Sequence, residues 1–162
     1  MTEPERILAQ YDRVMNGDAA WHGYPIWQIL EGISAKAAAH RPLADVHTIW
    51  EIVLHMIFWE GVAARRLAGQ RAGLDEALNF PAMPSTTEAN WQKTLEQFRA
   101  SNQEFRLALQ ALDAAQVDEL SAAGKRSFYD EAHGLIQHNI YHAGQIALLK
   151  KSFAANDASG GL

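Results

Sequence analysis

Seven histidines and no cysteine define the metal chemistry open to this chain of 162 residues. Without thiols, disulfide frameworks, cysteine-ligated zinc fingers, iron–sulfur clusters and cysteine nucleophiles are excluded, so soft-metal chemistry must rest on imidazole. Position then separates the histidines. Phe128, Leu135, His142 and Leu149 recur at intervals of seven, which gives His142 a seam position otherwise held by large apolar groups. His138 lies four residues earlier, so two imidazoles share a helix face one turn apart, the spacing that chelates one ion. A second stripe, Ile52, His55, Trp59 and Val62, sets a third histidine among inward-facing residues. Taken singly, each has an ordinary explanation as a core histidine satisfied by a carbonyl or carboxylate, and H-x3-H pairs also occur by chance on helix surfaces. An inward-facing pair together with a third buried histidine shifts the balance toward a metal centre, which on spacing alone stands level with the ordinary reading.

Three neutral imidazoles leave coordination positions open, unlike the closed four-ligand shell of structural zinc. Such a site can convert bound water to hydroxide or activate a coordinated thiol or carbonyl. Two nearby residues are candidates to orient a ligand or a water: Gln145, three residues after His142, and Glu51, one turn before His55. Their competing readings are a packed interhelical amide and a solvated charge. No residue is assigned as catalytic. His22, His40 and His47 fall near breaks or at a helix start and are expected to be solvated, and His133 is turned away from the H-x3-H face. Tyr141 and Asn139 face away from His142 on the helical wheel, and Trp50 and Trp59 are expected in the core or at an interface.

The elements that must position these residues are helical. Apolar residues recur at helical spacing almost throughout, and no convincing strand alternation is found. Ile7, Leu8, Tyr11, Val14 and Met15 share a face that Asn16-Gly17-Asp18 interrupts, and a second segment follows at Ile26, Ile29, Leu30 and Ile33. Gly23 and Pro25 mark a break or a restart, and a broken first arm is the preferred reading. Ser34 caps a short turn through Ala35–Ala39, and a loop runs from His40 to about Val46. The pattern predicts a helix over about His47–Leu67, stopped at Gly69, then a loop over Gln70–Pro84. A third helix spans about Thr86–Leu112, introduced by Ser85-Thr86-Thr87-Glu88 at capping-box spacing and carrying the heptad Trp91, Leu95, Phe98, Asn102, Phe105, Leu109 and Leu112. After a short helical connector at Asp113–Val117 and a break at Gly124, Ser127 and Asp130 cap a last helix running to about Ala154. The fold class is therefore all-α, a four-helix bundle with long connections that admit an up-down-down-up arrangement. Residues 1–155 form its single domain and 156–162 a frayed, flexible tail.

The segments IWEIVLHMIFWEGVAARRLAG (49–69) and LIQHNIYHAGQIALLKK (135–151), supported by WHGYPIWQILEGISAKAAAHRP (21–42), resemble the DinB-like, or YfiT-like, family of bacterial four-helix bundles. The resemblance covers most of the chain. It implies a divalent metal held by one histidine of the second helix and the H-x3-H pair of the last, here His55, His138 and His142, with no expected ligand missing. The ions expected are zinc or nickel, with manganese and iron as alternatives. Relatives suggest hydrolase-like and thiol-dependent S-transferase activities, the second matching a detoxification or stress-response role with a low-molecular-weight thiol. A non-catalytic metal- or small-molecule-binding bundle is the alternative, and a purely structural site ranks third. A shared name notwithstanding, nothing here resembles a polymerase palm with paired catalytic carboxylates.

Composition narrows the partners. With 14 Lys and Arg against 19 Asp and Glu, the net charge of −5 offers no general attraction to phosphate backbones, and nucleic acid is not an expected partner. No stretch reaches the ~20 apolar residues of a membrane span, and the N-terminus lacks a secretory h-region, so a cytoplasmic location is expected. Five tryptophans are plentiful for one bundle core and suggest a homodimer.

Overall fold

Among the described residues, seven α-helices and one 3-10 turn follow from the caps and apolar stripes of the chain. The computed structural model describes residues 1–17, 20, 21, 23–72, 76–123 and 125–159, with side chains at all of these except 76, 77 and 156–159. His22 and Gly124, both singled out above, lie outside the described residues, as does Asp18. Helix α1 (Glu3–Asn16) starts at a capping box, Thr2 with Glu5, and buries Ile7, Tyr11, Val14 and Met15. Two short helices follow, α2 (Ile26–Leu30) and α3 (Ala35–Ala39). The first arm is thus broken, as expected, and Ser34 caps α3 by accepting from the Ala37 N–H at 3.2 Å.

Helix α4 (Ile49–Leu67) begins two residues later than the apolar pattern suggested, because Thr48 and Glu51 form a capping box around its first turn. Its end is a Schellman closure: Gly69 takes φ +75°, the Gly69 N–H bonds the Arg66 carbonyl, and the Gln70 N–H reaches Arg65 at 2.9 Å. The expected loop after it contains one further turn, α5 (Glu76–Asn79). Helix α6 (Glu88–Ala111) carries the expected heptad, but its cap differs. Thr87 is the N-cap, while Glu88 is spent on the Ala35 N–H of α3 at 2.9 Å and makes no capping box. Ala114–Gln116 forms the 3-10 turn, capped by Asp113. Helix α7 (Phe128–Ser159) opens on the reciprocal Ser127–Asp130 cap and continues beyond Ala154 through part of the expected tail.

Packing places α1, α4, α6 and α7 as the four arms. Both α1 and α4 pack against α6 and α7, so α1 and α4 stand diagonally opposite across the core. Trp50 and Trp91 are fully buried, with ring centroids 5.1 Å apart, and their N–H groups donate to Thr94 Oγ1 and the Ile33 carbonyl. Each large side chain so removed from water contributes about 1.5–3 kcal/mol. Two of the five tryptophans that suggested an interface are therefore absorbed by the bundle itself. No described helix is long and apolar enough to cross a membrane.

At the centre of the bundle sits Glu60, wholly buried. One carboxylate oxygen accepts from Tyr11 Oη at 2.8 Å and Asn139 Nδ2 at 3.0 Å; the other accepts from Ser101 Oγ at 2.7 Å and from Asn102 Nδ2. Asn102 in turn accepts from the Trp27 indole at 3.0 Å. One side chain of α4 thereby ties α1, α6 and α7 together, and α2 through Asn102. Burial pushes the Glu60 carboxyl up to about 7, against the opposing pull of its four donors.

Candidate metal centre

Packing of α4 on α7 brings His55, His138 and His142 to one point, as their spacing implied. His138 Nε2 lies 2.9 Å from His55 Nε2 and 3.1 Å from His142 Nε2. Their ligand atoms form the one such group of three or more among the described residues, all within 4.8 Å of one another. Three nitrogens at these separations match the edge of a coordination polyhedron whose metal–nitrogen bonds are ~2.0–2.1 Å.

The fit to a divalent ion rests on how the far ring nitrogens are held. His55 Nδ1 lies 2.8 Å from the Asn79 carbonyl oxygen, and His142 Nδ1 lies 2.6 Å from Gln145 Oε1. Each oxygen can only accept, so each Nδ1 carries the proton and each Nε2 turns a lone pair toward the common point. His138 Nδ1 is buried and makes no such hydrogen bond among the described residues. Burial, then repulsion from His142 and His55, holds His138 down at about 4, and burial likewise lowers His55 and His142. The triad is thus kept neutral, the form a metal requires.

Gln145, read from sequence as a candidate support, sets its Oε1 against His142 Nδ1, and its Nε2 donates onward to the Tyr141 hydroxyl at 3.2 Å. Tyr141, expected to face away, is joined to the centre through that amide. Asn139 does face away, into the Glu60 cluster. Glu51 requires a correction. Its oxygens are committed at the helix start, to the Thr48 N–H at 2.8 Å, Arg41 at 2.6 Å and His47 at 3.4 Å, so it serves the cap and makes no contact with the triad. Trp59, expected in the core or at an interface, is partly buried against the core. Its indole donates to Asn79 Oδ1 at 2.9 Å and its ring centroid lies 5.9 Å from that of His138, beside the centre.

Asn79 and Phe80 were not singled out in the sequence. Asn79 uses its backbone carbonyl on His55 and its side chain on Trp59, and Phe80 lies between His47 and His55, stacked at 3.8 and 4.1 Å. Of the remaining histidines, His47 stays half-exposed, as expected. His40, expected to be solvated, is only partly exposed, and so is His133; among the described residues each buries Nε2 without a partner, His40 against Phe153 and His133 against Tyr129.

Gln145→Ala removes one orienting acceptor without touching the ligand set. Divalent-metal affinity, read by competition with a chromophoric chelator, should fall about 10–100-fold. A fall of under threefold would show that Gln145 does not orient His142.

Comparison with protein families matches residues 21–146 to a model described as the DinB superfamily. That span includes α2 through most of α7 and all three histidines. No curated protein and no solved structure matches the chain.

Proposed function

The chain belongs to the DinB superfamily, and from that premise we propose that it is a metal-dependent transferase or hydrolase working at an open three-histidine centre. The observation that carries this reading is the convergence of three neutral Nε2 atoms, two of them aimed by acceptors on the far side of the ring. Three protein ligands are the pattern of catalytic zinc sites, which leave a position for water or substrate, whereas structural sites use four. A divalent ion bound here, zinc or nickel first, with manganese or iron as alternatives, supplies Lewis acidity that lowers the pKa of a coordinated water or thiol.

The residues of the chain perform the supporting tasks. Asn79 and Gln145 fix the tautomers of His55 and His142, and burial keeps all three rings unprotonated at neutral pH. Phe80 covers one face of His55, which limits rotation of that ring and excludes water from it. Trp59 walls the side next to His138. Because the chain has no cysteine, a thiol reaching this centre belongs to the substrate, and a low-molecular-weight thiol is the favoured nucleophile.

Metal analysis of protein purified without a histidine tag, followed by a screen of low-molecular-weight thiols against electrophilic acceptors, tests this directly. One divalent ion per chain and metal-dependent conjugation or hydrolysis are expected. Protein that takes up no stoichiometric ion after reconstitution would refute the metal reading. Metal-loaded protein inert across both screens would favour a non-catalytic binding module.

A further inference from the structure

Arg66, Arg71, Lys125 and Arg126 line one cavity of about 570 Å3, opposed among the described residues by one acid, Glu131. In a chain of net charge −5 that is a marked local reversal of sign. The acid is already neutralised: Glu131 is buried, paired with Arg66 at 3.1 Å and hydrogen-bonded by Ser121. Arg66 is committed as well, since its other N–H groups reach the Ala72 carbonyl. Arg71, Lys125 and Arg126 are exposed, and no described acid pairs with any of them. Among the described residues, three cations without a paired acid therefore face one concave volume.

A smaller cavity of about 150 Å3 shares Trp59, Arg66, Arg126 and Glu131 with the first and ends on His138. The two share four lining residues, so the cationic hollow lies beside the histidine centre, on the Trp59 side of His138. Resting on the reading of that centre as a reaction site, we infer that this cleft binds the oxyanion, carboxylate or phosphate, of a small substrate whose reacting end lies at the triad. The larger volume lies within the ~300–1,000 Å3 of small-molecule pockets. Guanidinium groups suit planar or tetrahedral oxyanions through paired N–H donors, and a cleft lined by one sign of charge concentrates ligands of the other. A nucleic acid would need an extended basic stripe, which an acidic chain with one small basic hollow does not offer.

The test titrates the full-length protein, its metal content measured beforehand, with inorganic phosphate and separately with succinate at low ionic strength, by calorimetry and by the Trp59 indole N–H resonance. The wild type should bind at least one of them, more weakly as salt is added, and the better ligand separates phosphate from carboxylate. Arg71→Ala and Arg126→Ala should each weaken binding about tenfold, and the double variant should lose it, with metal content unchanged. Arg65→Ala, exposed on α4 but outside the cleft, should leave binding as it was. Failure of wild-type protein to bind either anion would overturn the inference while leaving a measured metal centre standing. Binding that survives the double substitution would overturn it too, since the anion would then sit elsewhere or on the metal. Binding that is lost in the double variant of a protein that takes up no metal on reconstitution would support the anion site and refute the metal reading instead.

Discussion

His138→Ala should lower divalent-metal affinity by about 100-fold or more, with His55→Ala and His142→Ala close behind, because removing a ligand must exceed the 10–100-fold of removing a supporting contact. His138 is the shared vertex: its Nε2 stands within 3.1 Å of both other ligand atoms, so its loss leaves only two imidazoles, held by different helices. His40→Ala and His133→Ala should leave affinity unchanged, since neither lies in the ligand group. Chelator competition on folded variants measures all five, and a triad variant retaining wild-type affinity would break the assignment.

The pH dependence corrects the simplest expectation for histidine ligands, a loss of affinity just below pH ~6.5. All three imidazoles are held below that value by burial, so proton competition begins at lower pH and metal should remain bound as the solution passes through ~6.5. For the metal-free protein the sign is fixed by the same shift. The unfolded chain takes up protons first, so the contribution of these histidines is present above ~6.5 and is lost as pH falls through their lower folded values. Metal release centred at or above pH 6.5 would contradict the burial argument.

Glu60→Ala should destabilise the protein by about 3–5 kcal/mol, a large share of the ~5–15 kcal/mol that holds a domain folded. The substitution removes the acceptor of Tyr11, Ser101, Asn102 and Asn139 together and leaves a cavity at a wholly buried point. Water admitted to that cavity recovers part of the loss, which keeps the total below the sum of four orphaned donors. Glu60→Gln keeps the shape and should cost less. With the carboxyl raised from 4.5 to about 7, its favourable contribution is complete below pH 4.5 and is lost as pH rises through 7. The wild type should therefore lose stability relative to Glu60→Gln over that interval. Denaturant melts at several pH values provide both numbers, and a cost below 1 kcal/mol for Glu60→Ala would deny Glu60 its place as the hub of the core.

The chain's local chemistry determined the helices, most of their caps and the histidine triad. Amphipathic period and capping are decided within a few residues, and a histidine on an apolar seam of one helix has only the facing helix to meet. That is why His55, His138, His142 and Gln145 were legible, and why Ser34 and Ser127 were found at their helix starts. Glu60 also left a signal, standing at intervals of seven between Val53 and Leu67. Its meaning depended on donors 41 to 79 residues away that only the diagonal placement of α1 and α4 brings together. Asn79 and Phe80 left none, because a backbone carbonyl at the end of α5 reaches His55 by virtue of where the chain returns and not of which residue supplies it. Glu51 shows the same limit in reverse. Its spacing from His55 was correct for a supporting carboxylate, but Thr48, Arg41 and His47 were closer in space, and a buried or half-buried polar group goes to the partners that the tertiary fold sets beside it. The cationic cleft is likewise a product of assembly, since Arg66 and Arg71 at the end of α4 meet Lys125 and Arg126 only when α7 packs back across it.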